Sequence, residues 1–151
     1  MKFIYPLWNL ESTSLIQAYN SLCIDMNSPP TRLNTDFDPK IIGGEMAHHC
    51  NKRGTMIQAA PPDHQDSNGL CERNWQTLSH MARAWLSSNL LPPSYWWYAI
   101  KRATEVSNYM PLKINQKITT PFEATFNQRP DPRLLFPIFS LAYICKIKDD
   151  N

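Results

Sequence analysis

Residues 60–75 read APPDHQDSNGLCERNW. A proline pair and a polar run lead to Gly69, after which apolar and polar residues recur at helical spacing. Glu72 falls in the first turn of the helix so predicted, where a carboxylate complements the positive end of the macrodipole. Dipole complementation alone accounts for a glutamate at this place. The rest of the chain supplies a second role for it.

The chain has 151 residues, 42% of them hydrophobic and 19% charged, which are globular values and argue against wholesale disorder. This length supports one domain with a modest core. Five Trp, six Tyr and six Phe supply large packing units. Of thirteen prolines, nine cluster at 29–30, 61–62, 92–93 and 130–137, where they mark connections rather than a low-complexity tract. The formal charge of +2 is too small to diagnose a partner. Residues 92–133 carry a local excess of +3, compatible with phosphate contacts but equally with solvated surface. Cys23, Cys50, Cys71 and Cys145 include no CxxC pair, and no signal peptide is visible, so they read as reduced, mostly buried thiols of a cytosolic or nuclear protein. The apolar runs fall short of a membrane span, and no membrane partner is expected.

Pattern and punctuation predict strands at 2–7, 32–36 and 55–60 and helices at 11–26, 38–53, 68–90 and 94–109. Pro6 confines the first strand to an edge or to its own end. Asp38-Pro39 is a helix start, an N-cap followed by proline at the first helical position, and Gly54 is a natural C-cap. The Gly43-Gly44 pair weakens the middle of that helix. In helix 68–90 the apolar stripe is Cys71, Trp75, Leu78, Ala82 and Trp85, and the opposite stripe is Glu72, Gln76, Ser79 and Arg83. The inner face of helix 94–109 is Trp96, Ile100, Ala103 and Val106. The order of elements points to an α/β sandwich with parallel pairing in part of the sheet.

In such a sheet the C-terminal ends of the strands line one crevice. Asp36 ends a strand, Glu72 opens a helix after the next strand, and thirty-five residues separate them. Paired carboxylates there suit hard divalent cations, which take oxygen ligands and assist phosphoryl transfer.

The segment Pro62-x5-Asn68-Gly69-x2-Glu72-Arg73, preceded by Asp36 at this interval, resembles the integrase catalytic cores of copia-type (Pseudoviridae-like) retrotransposons. LSHMARAWL (78–86), LPPSYWWYAIKRATEVSNYMP (91–111), TPFEATFNQRPD (120–131) and LAYI (141–144) continue the likeness in order, over about residues 2–148. The resemblance implies an RNase H-like α/β sandwich, with residues 1–110 as a partial catalytic core and 111–151 as a C-terminal extension. It implies divalent-metal-dependent polynucleotidyl transfer in DNA integration. Asp36 and Glu72 would be the catalytic residues and the ligands of Mg2+ or Mn2+. Residues 63–69 would form a loop beside the DNA end, and Asn68, Gly69, Arg73 and Gln76, with Ser79 beyond, a DNA-facing surface. The partners implied are retrotransposon ends, target DNA and further copies of the chain, in the nucleus.

One departure stands out. The family's site has a first aspartate on the first strand of a sheet ordered 3-2-1-4-5, whereas Asp25, the aspartate upstream of Asp36, falls at the end of a helix. The expectation is therefore an incomplete sandwich lacking the first two strands, a fragment inactive on its own. Residues 2–7 would then have no neighbouring strand, and the strand before Asp36 would lose one side of its ladder.

Other chemistries fit less well. His48-His49-Cys50 with Cys71 lacks the spaced histidines and CxxC of a zinc module. His64 and His80 have no identifiable Ser or Cys partner for a hydrolase triad. Trp96-Trp97 reads as core and interface. The class opposed to an enzyme is a non-catalytic remnant of a transposable element that binds nucleic acid or protein.

Overall fold

The computed structural model describes residues 1–36, 38–59, 69–114 and 116–140. The chain divides into two compact units, Lys2–His80 and the chain from Met81 onward.

In the first unit, α1 (Ser12–Asp25) is followed by β1 (Arg32–Thr35), α2 (Pro39–Ile42), α3 (Gly44–Lys52), β2 (Met56–Ala59) and the first turns of α4 (Gly69–Ser88). The strands β1 and β2 pair in parallel, Arg32 against Met56 through Thr35 against Ala59. Side chains alternate as a strand requires: Leu33, Thr35, Ile57 and Ala59 are half-buried, and Arg32, Asn34, Met56 and Gln58 are exposed. Leu33 and Ile57, opposite one another in the register, pack with Leu15 and Ile16 against a core of Tyr19 and Cys23 from α1 and Met46 and Cys50 from α3.

Polar atoms in this core are paired. Thr55, 1% exposed, donates its hydroxyl to the Pro30 carbonyl at 2.5 Å. Its single proton being spent there, Tyr19 is the donor in the 2.6 Å bond between Tyr19 Oη and Thr55 Oγ1. Backbone bonds from Met56 to Thr31 (3.0 Å) and from Thr55 to Cys50 (2.9 Å) complete the joint between α3 and the two strands.

Two expectations are corrected here. Residues 2–7 form no strand: Pro6 has no N–H to give a ladder, no strand lies alongside among the described residues, and Tyr5 instead donates to Asp25 Oδ2 at 2.7 Å. The helix read over 38–53 is two. Asp38 Oδ1 caps Lys40 N at 2.9 Å and Pro39 starts α2, but Gly43 is extended and Gly44 sits at φ +64, a left-handed conformation that interrupts the helix before α3 begins. Gly54, at φ +77, follows the end of α3.

In the second unit, a 3-10 turn (Pro93–Tyr95) leads into α5 (Trp96–Tyr109), so the helix predicted from 94 starts two residues later. The segment beyond residue 110 is structured. Strands β3 (Leu112–Ile114) and β4 (Lys117–Thr119) form an antiparallel hairpin, followed by α6 (Pro121–Phe126) and a 3-10 turn (Pro132–Leu134). Thr120 and Glu123 account for α6: Thr120 Oγ1 accepts from Glu123 N at 3.0 Å, in the spacing of a capping box. Phe122 meets Tyr109 edge-on at 5.2 Å, seating α6 on α5. Arg102 fastens the next segment, donating from Nη2 to the carbonyls of Leu134 (3.1 Å) and Phe136 (2.6 Å) with its guanidinium 4.7 Å from the Phe136 ring. The buried face of α5 is Ala99, Ile100, Ala103, Thr104 and Asn108, so Trp96 and Val106, expected on it, lie at its half-buried margins. No helix among the described residues is long and apolar enough to cross a membrane.

The stripes expected on α4 are also corrected. Leu78, Ser79, Ala82 and Leu86 are buried, whereas Cys71 is exposed and Trp75 is 51% exposed. Ser79 is 3% exposed and its hydroxyl has no hydrogen-bond partner, so it is not on a DNA-facing surface. A buried hydroxyl without a partner costs on the order of 1–3 kcal/mol. Ser79→Ala is therefore expected to stabilise the protein by about 1 kcal/mol, raising Tm by roughly 2–4 °C. A drop in Tm in a thermal melt would contradict this.

The thiols divide likewise. Cys23 and Cys50 are buried as expected, but Cys71 is exposed; Cys145 lies outside the described residues. Burial, and then the neighbouring Cys23, push the Cys50 thiol up from its ordinary pKa. The folded state thus favours neutral Cys50. This contribution is fully present below the ordinary thiol range of about 8.5 and is lost as pH rises above it through the raised value of folded Cys50. In a thiol-titration time course at neutral pH, Cys71→Ser should remove one rapidly reacting equivalent, while Cys50→Ser should leave the fast phase unchanged.

Candidate functional site

Both sequence-predicted carboxylates belong to the first unit. Asp36 follows the last residue of β1 directly and is exposed. Because Thr35 lies opposite Ala59, β1 and β2 end at the same edge, and the connection toward α4 departs from the edge that carries Asp36. The backbone turns sharply after Asp36: Asp38 N donates to the Asp36 carbonyl at 2.7 Å, while the Asp38 side chain caps α2. Of these two aspartates, Asp38 is engaged within the protein and Asp36 has no ion-pair or hydrogen-bonded side-chain partner among the described residues.

Glu72 stands in the first turn of α4 and is exposed. Its neighbour Arg73 does not pair with it. Arg73 Nε turns back to the Gly69 carbonyl at 3.1 Å, a bond within one helical turn. Arg73 and Gln76 are exposed and Gly69 is half-buried, so the first two turns of α4 offer a polar surface around Glu72. Asn68 and the loop residues 63–68 lie outside the described residues.

The donor chemistry at Asp36 and Glu72 is two hard carboxylates with neither lysine nor arginine bound to them among the described residues. Such a set fits Mg2+ or Mn2+, since magnesium is commonly held by one or two carboxylates plus waters and substrate phosphates. No group of three or more His, Cys, Asp or Glu side chains among the described residues could hold a metal ion. Asp25, at the end of α1, accepts the Tyr5 hydroxyl instead of joining such a group.

The histidines are used otherwise. His49 Nε2 bonds Asn20 Oδ1 at 2.9 Å and its ring meets Tyr19 edge-on, so this residue joins α3 to α1. Cys50 is fully buried and Cys71 exposed, which separates the members of the zinc reading. The Tyr5–Asp25 and Arg73–Gly69 bonds have no sequence signature. The first spans twenty residues, and the second depends on the rotamer of one exposed arginine.

No protein-family model matches the sequence. Solved structures are similar to it in fold. A chain of the simian T-cell lymphotropic virus intasome in complex with PP2A regulatory subunit B56 gamma matches 91% of this chain with a TM-score of 0.64 and 22% identity. The match covers 46% of that chain, so this protein spans less than half its length. The HTLV-2 integrase catalytic core domain in complex with magnesium, in a trimeric form, matches 78% of this chain and 71% of its own, with a TM-score of 0.60 and 19% identity. The catalytic core domain of BIV integrase matches 83% of this chain and 76% of its own, with a TM-score of 0.58 and 17% identity. The protein has a mixed helix and strand fold similar to that of these retroviral integrase catalytic cores.

Proposed function

We propose that this chain is part of an integrase-type polynucleotidyl transferase of the copia retrotransposon kind, with Asp36 and Glu72 as ligands of a divalent cation. The observation that carries the reading is the position of the two carboxylates within the integrase-core fold: one directly after a parallel strand, the other in the first turn of the helix that follows the next strand. Magnesium in the HTLV-2 core of similar fold supports Mg2+ or Mn2+ as the cation. When bound, the ion would polarise a phosphoryl oxygen or activate water for in-line attack. Asn68, Gly69, Arg73 and Gln76 are assigned to the DNA side of the site; Arg73 and Gln76 are exposed there, and a helix N-terminus favours phosphate. DNA ends and target DNA are the assigned partners, further copies of the chain the assigned assembly, and the nucleus the assigned location. The trimeric and intasome contexts of the similar structures support the assembly.

A two-stranded parallel sheet is small for an independent α/β layer. We read it as part of a larger sheet, and the activity as incomplete in this chain alone. A specific observation favours that refinement over a self-sufficient enzyme: Asp25 is engaged by Tyr5, and Asp38 by the α2 cap. The second reading, a non-catalytic remnant that binds nucleic acid or protein, rests on the same two bonds.

Metal binding separates the readings. For the transferase fragment, Mn2+ at a hundred times its Kd stabilises the native state by about 2.7 kcal/mol. The resulting rise in Tm should disappear in Asp36→Asn and in Glu72→Gln. A rise of equal size in all three proteins, or none in the parent chain, leaves the remnant. Joining of a labelled DNA end to target DNA by this chain alone with Mg2+ would overturn its incompleteness.

A further inference from the structure

The first unit sorts its charges along its strands. Asp36 and Asp38 follow the C-terminal end of β1, and cations gather at the opposite edge of the sheet. Arg32 opens β1, directly across from Met56 at the start of β2. Lys52 is the last residue of α3 and Arg53 its C-cap. Thr55 N donates to the Cys50 carbonyl at 2.9 Å and Met56 N to the Thr31 carbonyl at 3.0 Å, so the end of α3 and the starts of both strands form one joint. The four steps from Lys52 to Met56 span at most about 14 Å, and paired strands lie about 5 Å apart. All three cations therefore fall within one patch.

Arg32, Lys52 and Arg53 are exposed, and none has an ion-pair or hydrogen-bonded side-chain partner among the described residues. No Asp or Glu occurs from 26 to 35 or from 46 to 59, the two stretches of chain that meet at this edge. Asp25, at the end of α1, is engaged by the Tyr5 hydroxyl at 2.7 Å. The helix macrodipole gives Lys52 and Arg53 a role at the C-terminus of α3. It gives none to Arg32, which stands on a strand.

From this arrangement we infer that the edge formed by Arg32, Lys52 and Arg53 binds the phosphate backbone of DNA, apart from the carboxylate site. The choice of DNA rests on the function proposed above, and the position, at the other end of the strands, goes beyond it. Three free cations with no opposing carboxylate on their own stretches of chain suit a polyanion, whose affinity grows with each phosphate neutralised. Two of the three are arginines, whose planar guanidinium meets a phosphate through parallel N–H donors. Contacts of this kind position a duplex without reading its bases.

The test is a fluorescence-anisotropy titration of a labelled DNA duplex with the full chain, in EDTA, over a series of salt concentrations. EDTA silences the carboxylate site, so the result is independent of the Mn2+ melts. Two duplexes of unrelated sequence should bind alike. Arg32→Ala and Arg53→Ala should each make the slope of log K against log salt shallower by about 1, and the double variant by about 2. Asp36→Asn should leave the slope unchanged. Thermal melts of the same variants separate this role from a structural one. A lowered Tm with affinity and slope unchanged would assign the cations to the fold alone and overturn the site. An Arg32→Ala slope equal to the parent's, or binding of phosphatidylserine vesicles in place of the duplex, would overturn it as well.

Discussion

The first unit depends on one relay of hydroxyl groups. Tyr19 donates to Thr55, and Thr55 donates to the Pro30 carbonyl. Three separate pieces of chain meet there: the middle of α1, the residue entering β2 and the turn entering β1. A buried threonine hydroxyl left without a partner would cost on the order of 1–3 kcal/mol, so the relay fixes all three pieces together or not at all. The parallel register of β1 and β2 follows, since Met56 binds Thr31 immediately beside it. The register in turn brings both strand ends to the edge where Asp36 stands. The chemistry proposed at that edge therefore rests on a bond deep in the core.

Helix α4 is used differently along its length. Its first two turns expose Leu70, Cys71, Glu72 and Trp75, and its later turns bury Leu78, Ala82 and Leu86. A hydrophobic stripe in sequence predicts the buried face only where something covers it. Cys71 and Trp75 continue the stripe numerically, yet lie exposed, and the buried face turns instead to include Ser79. Ser79 and Ala82 are both small and both buried, and periodicity by polarity misses Ser79 because serine counts as polar.

Much of the fold is legible in the sequence because its signals are local. Asp38-Pro39 satisfies a backbone donor within a few residues, and Gly54 stands where a left-handed conformation ends α3. Strands β1 and β2 carry alternating side chains, with β-branched Thr35 and Ile57 on the half-buried side. What is not legible depends on contacts between distant residues. Residues 2–7 have the composition of a strand, but a strand is defined by its neighbour, and Tyr5 finds Asp25 instead. The hairpin beyond residue 110 escapes a reading by period because its strands have three residues each, too few for alternation to emerge. At the candidate site, Asp36 and Glu72 stand out through their spacing and the motif around Gly69, whereas the burial of Ser79 is hidden from both spacing and motif.

The turn after β1 has a consequence for selectivity among carboxylates. Asp36 and Asp38 are chemically identical, two residues apart and on the same turn. One closes the first turn of α2, and uncapping it would cost about 0.5–2 kcal/mol. The α2 cap therefore sets the two carboxylates apart: Asp38 accepts a backbone N–H of its own helix, and Asp36, the ligand proposed above, accepts none among the described residues.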